Sequence, residues 1–469
     1  MVVFILLGIK LSKRYLYNNQ LKFFMIDLSA FELVCTSDGK VHPATIGRYF
    51  CETCFGNVFA RRDFSKIDTE AFKQDLANGP NNISRYHRLL VGFGGLESEG
   101  VGYTPLIQHD ELALDFGLEP GNLFLKYDGG KKQNSFKVRG VEVILRLIDQ
   151  ANKEGKEGGN YEAIGSTSTG NLAVAVATQK KYTPIILVHG TAEERLIRRT
   201  LSHGAYVIQV GSNYSTANDM LREAINSNEE LQNRIAFANI NLRPYYAWGS
   251  QTIGFELAEQ LKSKGIKPNE VEIIHPAAAG LSLWQIFQAF VEFKELGIVN
   301  SLPRMNAIQN GACYPIVKAW EQGEEFANPM KPLYVSKAET LTVSNPGNGF
   351  EALKTLGESK GSAVAVSEGE IDFGEQLLLK NSPYFDNASW TADYVGAAVV
   401  GGLGKLIREK LIDTKKKIVL VLTDGHPQDG NYDGPLKFEK LEDFGRFFSV
   451  GPDSKVIGQT LEGILDGRR

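Results

Sequence analysis

Cysteine is scarce, with four in 469 residues. That is too few for a disulfide scaffold, so a reducing compartment is expected and the cytoplasm is the default. No apolar run is long enough to span a bilayer. The opening MVVFILLGIKLSKRY stops at Lys10 and lacks the basic residues that precede a signal-peptide core. Residues 1–24 are therefore read as an extension, with Met25 as an alternative start. Positive charge is not in excess either: the formal net charge is -4, which gives no general attraction for nucleic acid or an anionic membrane, and neither partner is expected. Internal repeats, low-complexity tracts and long single-sign charge blocks are all missing. What remains is a globular composition, 43% apolar and 23% charged, on a chain long enough for two large lobes and a small appendage.

Along the chain, short apolar segments alternate with longer amphipathic ones. NLFLKYD is followed by a helix from about Ser135 to Glu154, AIGSTSTGN by LAVAVATQKK, PIILVHG by EERLIRRTLSHG, and VEIIHP by LSLWQIFQAFVEF. This strand–helix rhythm predicts an α/β fold with two open, twisted, mainly parallel sheets. Ahead of it, residues 25–75 carry Cys35 and the pair Cys51 and Cys54 in short, turn-rich segments. A closed zinc site takes four ligands. Three cysteines are present, His42 is a candidate fourth, and Ser37 or Asp38 stands where a second knuckle cysteine would follow Cys35. The expectation is a degenerate zinc-ribbon-like module without metal, Cys35, Cys51 and Cys54 being weak candidate ligands.

Four places carry chemistry. In QNSFKVRG, Lys137 opens a helix; a lysine is usually a solvated surface charge, and one that acts as a nucleophile needs partial desolvation so that its amine can be neutral. In STSTGN, Thr169 or Asn171 would serve as an ordinary helix N-cap. In HPAAAGLSLW a strand passes through small residues into a helix. In VLVLTDGH a strand ends on Thr423, Asp424, Gly425 and His426.

Together these motifs resemble, in order, those of pyridoxal-phosphate enzymes of the tryptophan synthase β type (fold type II), and threonine synthase in particular. SNPGNGFEALK, IQNGACYPIVKAW and WGSQTIGFELAEQL are similar to further family segments, so the resemblance spans roughly residues 85–430. It implies pyridoxal 5'-phosphate as cofactor, held by Lys137 as a Schiff base. Asn171 would bond the cofactor's phenolic oxygen, and Ala277, Ala278, Ala279, Gly280 and Leu281 would cradle its phosphate. Thr423 would contact the pyridine nitrogen, with Asp424 as a carboxylate able to take that place. Ser135, Thr167, Ser168, Thr169, Gly170 and His426 would face the substrate. His275 is read as an ordinary core or loop histidine. Alanines stand where the family has glycines, so the cradle requires negative φ at those positions.

The resemblance also implies a large cofactor-binding domain of residues 85–150 and 251–469, a small mobile domain of 151–250, and a possible homodimer. The activity it implies is conversion of O-phosphohomoserine and water to threonine and phosphate, on a small amino-acid substrate carrying a phosphate. Lys131 and Lys132 would favour such an anionic leaving group. QNSFKVRG and AAAGL resemble the serine/threonine dehydratases more closely, and a cysteate synthase acting on O-phosphoserine is a third relative. A catalytically decayed binding protein is the non-enzymatic alternative.

Overall fold

The computed structural model describes residues 31–44, 50–54, 56–91, 100–130, 135–154, 160–168, 170–192, 194–211, 214–240, 242–381, 393–425 and 440–467. Three sheets organise them. The first is a small antiparallel sheet of β1 (Phe31–Cys35), β2 (Val41–Pro43) and β3 (Val58–Arg62) in the order β2-β1-β3, with Leu33 opposite His42 and Ala60. Strand alternation turns Leu33 and Cys35 inward.

The second sheet contains β4 (Leu106–Gln108), β5 (Leu123–Tyr127), β10 (Val271–Pro276), β11 (Arg304–Asn310), β12 (Ser362–Val366) and β13 (Lys417–Leu422), ordered β12-β11-β10-β13-β5-β4. All its pairings are parallel except the edge pair of β4 with β5. Segments such as KIVLVL and VEIIHP are buried on both faces, which suits strands covered by helices on either side.

The third sheet is wholly parallel: β6 (Ala163–Thr167), β7 (Thr183–His189), β8 (Tyr206–Val210), β9 (Ile235–Phe237) and β14 (Phe447–Val450) in the order β14-β8-β7-β6-β9. Here the sheets depart from the expected division. The resemblance places residues 251–469 in one lobe, yet β14 pairs with β8, and Ile457 and Leu461 of the following helix Ser454–Leu465 pack into the core of the third sheet. The apolar face of that helix finds cover there.

One helix crossing fixes the frame of the site. The helices Lys137–Glu154 and Arg243–Ser263 approach so closely at Gly140 and Gly249 that a Cβ on Gly249 would lie 2.1 Å from the Gly140 nitrogen. A Cβ on Gly140 would lie 2.3 Å from the Tyr246 ring. Only hydrogen fits at either position.

Candidate active site

In parallel α/β sheets, ligand-binding groups gather beyond the carboxyl ends of the strands. The loops after β5, β6, β10 and β13 all contribute here. Ser135 bridges to Asp424, and the Phe136 amide donates to the Thr423 carbonyl at 2.9 Å, so the lysine-bearing turn is stitched to the end of β13. The Ser135 hydroxyl accepts from the Lys137 amide at 3.2 Å. Lys137 is half-buried, its Nζ 4.2 Å from the centroid of the Phe136 ring. Burial lowers the pKa of this amine, and the negative charge of Asp424 opposes the shift. A lysine so placed is primed for nucleophilic and base chemistry.

Two residues further on, the helix is anchored by a fully buried ionic core. Arg139 forks onto Asp128 with two contacts of 2.7 Å and reaches Glu256 at 2.5 and 2.9 Å. Lys126 completes the set with a 2.7 Å bond to Glu256. Burial works against the Glu256 charge, but Arg139 and then Lys126 hold its carboxyl down to about 2. Such a core positions the Lys137 turn because moving Arg139 would strand two carboxylates away from water.

Asn171 enters from the third sheet. Gly170 takes the N-cap position of the helix Asn171–Thr178 and no side chain caps it. The N-cap reading of Asn171 is thereby displaced: its amide reaches across to donate to Asp424 Oδ1 at 2.7 Å. Thr423 donates its hydroxyl to Asp424 Oδ2 at 2.8 Å. Thr167 is held by Asn239, whose side chain accepts from the Thr167 amide at 3.1 Å and donates to its hydroxyl at 2.9 Å. The Ser168 hydroxyl accepts from the Gly170 amide at 3.2 Å. Thr169 and His426 lie outside the described residues.

The small-residue loop follows β10. The Ala277 amide donates to the Ile308 carbonyl at 2.8 Å, and the Ala279 carbonyl accepts from the Asn348 amide at 2.9 Å. Among the described residues, positive φ outside glycine occurs only at Tyr103, Lys360 and Lys410, so Ala277, Ala278 and Ala279 keep negative φ. The one left-handed position falls on Gly280, φ +89°, which caps the helix Leu281–Glu295. A Cβ there would lie 2.5 Å from the Asn348 carbonyl oxygen. The first-turn amides of that helix lack intrahelical acceptors and favour an anion. A lysine amine of lowered pKa, a carboxylate beside it and an anion-binding helix start fit pyridoxal phosphate.

Several groups at the site gave no motif signal. Asp393 caps the helix Tyr394–Arg408 by accepting from the Gly396 amide at 2.8 Å. Burial, and then the charge of Asp424, push its carboxyl well above the usual range. His275 is fully buried just before the loop, neither ring nitrogen has a hydrogen-bond partner among the described residues, and burial, then Lys137, hold its pKa down to about 3. Asn239 and Asp393 stand far in sequence from the motifs they serve. Away from this site, Cys35, Cys51 and Cys54 converge with Asp38 beside the first sheet, and His42 is not part of that group.

Residues 97–424 match the family described as pyridoxal-phosphate dependent enzyme. The threonine synthase of Methanosarcina acetivorans is 30% identical over 406 residues, covering 84% of this chain and 91% of that protein. The threonine synthase of Methanocaldococcus jannaschii is 28% identical over 399 residues, with the same coverages of 84% and 91%. Among solved structures, diaminopropionate ammonia lyase from Escherichia coli superposes with a TM-score of 0.57 at 14% identity, covering 87% of this chain and 97% of its own. Maize serine racemase gives 0.55 at 17% identity, covering 78% and 95%. The mainly parallel architecture and these structural neighbours establish fold type II, and the chain belongs to the pyridoxal-phosphate dependent enzymes, as a threonine synthase-like member that uses pyridoxal 5'-phosphate.

Proposed function

We propose that the protein is a lyase converting O-phosphohomoserine and water to threonine and phosphate. The observation that carries this reading is the likeness to a threonine synthase at 30% identity, covering 84% of this chain and 91% of that protein, joined to a lysine whose amine pKa is lowered by burial. The cofactor, when bound, supplies the electron sink that makes the substrate's α-proton acidic. Lys137 holds it, then takes and returns protons at the substrate carbons as general base and acid. Ser135, Thr167, Ser168, Thr169 and Gly170 orient the substrate carboxylate, with Asn239 fixing Thr167. Asn171 and Thr423, each hydrogen-bonded to Asp424, would hold the cofactor ring, and the loop of Ala277, Ala278, Ala279, Gly280 and Leu281 would receive its phosphate. Phosphate leaves from the γ-carbon and water adds at the β-carbon, which balances substrate and water against threonine and phosphate.

A second reading, elimination from serine or threonine, is favoured by one observation: the lysine motif is QNSFKVRG, with Val138 following the lysine. The two separate in one experiment. The purified holoenzyme releases phosphate and forms threonine from O-phosphohomoserine under the first reading, and Lys137→Ala abolishes it. Ammonia release from serine or threonine, without phosphate release from O-phosphohomoserine, would replace it with the second.

A further inference from the structure

The three N-terminal cysteines do not stand as leftovers of a lost ribbon. The Sγ atoms of Cys35, Cys51 and Cys54 and a carboxylate oxygen of Asp38 all lie within 4.8 Å of one another. Cys35 Sγ is 3.4 Å from Cys54 Sγ, and Cys51 Sγ is 3.6 Å from Asp38 Oδ2. These are two opposite edges of a tetrahedron. Zinc bonds of ~2.3 Å to sulfur and ~2.0 Å to oxygen require edges of roughly 3.5–3.8 Å. We propose that Cys35, Asp38, Cys51 and Cys54 form a closed, structural zinc site, with the aspartate as fourth ligand.

The local backbone is built for it. The ligands fall into two knuckles of the same spacing, Cys35-Thr-Ser-Asp38 and Cys51-Glu-Thr-Cys54. The first turns on Gly39, φ +73°. In the second, the Thr53 amide points at Cys51 Sγ and the Gly56 amide at Cys54 Sγ, each at 3.4 Å. Amides aimed at sulfur stabilise the thiolate form that binds metal. The Lys40 amide donates to Asp38 Oδ1 at 2.9 Å, orienting the carboxylate, while Lys40 Nζ reaches Thr53 Oγ at 2.7 Å and sets a positive charge between the knuckles. Gly56 is bare because a Cβ would lie 2.5 Å from Ser37 Oγ and 3.1 Å from Cys35 Sγ. Three thiolates and a carboxylate in tetrahedral array suit Zn²⁺.

The site's task is to brace the catalytic lobe. Thr36, inside the first knuckle, donates to Glu351 at 2.5 Å, and Asn57, just after the second, donates to the Gly347 carbonyl at 2.6 Å. The loop between those partners gives the Asn348 amide to the Ala279 carbonyl. Metal in the knuckles therefore supports, through one intervening loop, the small-residue turn after β10.

The test is metal analysis and cobalt spectroscopy on the reduced full-length protein. One zinc per chain is expected. After its removal, Co²⁺ should restore a thiolate-to-cobalt charge-transfer band and tetrahedral visible bands. Asp38 is exposed, so Asp38→Ala should fold, keep its circular dichroism and bind Co²⁺ at least about tenfold more weakly, since the site loses a ligand. Asp38→Cys should retain the metal and shift the cobalt spectrum towards four-thiolate coordination. Absence of both zinc and the charge-transfer band, a Cys35–Cys54 disulfide in the purified protein, or unchanged cobalt affinity and spectrum in both variants would each overturn the assignment.

Discussion

Asn171 and Asp424 meet at 2.7 Å, although one follows a strand of the third sheet and the other ends a strand of the second. Their contact ties the two parallel sheets together at the point where Lys137 emerges. Asp424 is also the charge that raises the Lys137 pKa against the effect of burial. Replacing it with the isosteric amide removes that support. Asp424→Asn should shift the pH at which the Lys137 amine becomes reactive downward, read as the midpoint of cofactor incorporation against pH. An upward or absent shift would show that the carboxylate does not act on the amine.

The Gly140–Gly249 crossing gives a stability prediction. Gly249→Ala puts a methyl group 2.1 Å from a backbone nitrogen, and overpacking of this kind costs about 1–3 kcal/mol or more. A lowered urea midpoint is expected, with weaker cofactor retention because the displaced helix carries Lys137. A midpoint equal to wild type would mean that the helices can separate at no cost.

Gly280 behaves differently because its neighbourhood is a loop. Gly280→Ala combines a left-handed backbone, costing roughly 1–2 kcal/mol, with a contact to the Asn348 carbonyl. The fold should survive while pyridoxal phosphate affinity falls, measured by equilibrium dialysis. Retained affinity would remove this loop from the phosphate site.

Much of this arrangement is legible in the residues themselves. Lys137 opens its helix as the motif implies, and the strand–helix alternation yields two mainly parallel sheets. The negative φ at Ala277, Ala278 and Ala279 follows from alanine's resistance to the left-handed region, whereas the approach of Gly280 to the Asn348 carbonyl is not legible. Nor is the pairing of β14 with β8, which joins segments over two hundred residues apart. Asp393 carries no local signature because the group it faces, Asp424, ends a distant strand, whereas Glu256 lies in the family-like segment WGSQTIGFELAEQL and only its partners Arg139 and Lys126 come from elsewhere in the fold. In the sequence Asp38 is a gap in a cysteine pattern, whereas its place beside the three thiols follows from folding the hairpin of β1 and β2.

His275 supplies a pH dependence. Its folded pKa, down to about 3 because of burial and then Lys137, lies below the unfolded value of about 6.5. The unfolded chain therefore binds the extra proton first. Stability due to this residue is intact above the unfolded pKa and is lost as pH falls from there towards the folded one, by up to about 1.4 kcal/mol per pH unit. His275→Gln should flatten the difference between urea midpoints at pH 5 and pH 7. An identical pH slope in both proteins would rule out the buried neutral imidazole.

The most direct test is chemical. Wild-type protein loaded with pyridoxal phosphate, reduced with borohydride and digested should carry the cofactor covalently on the peptide containing Lys137. Lys137→Ala, folded by circular dichroism, should carry none. Label on another lysine, or equal label on both proteins, would contradict the site described.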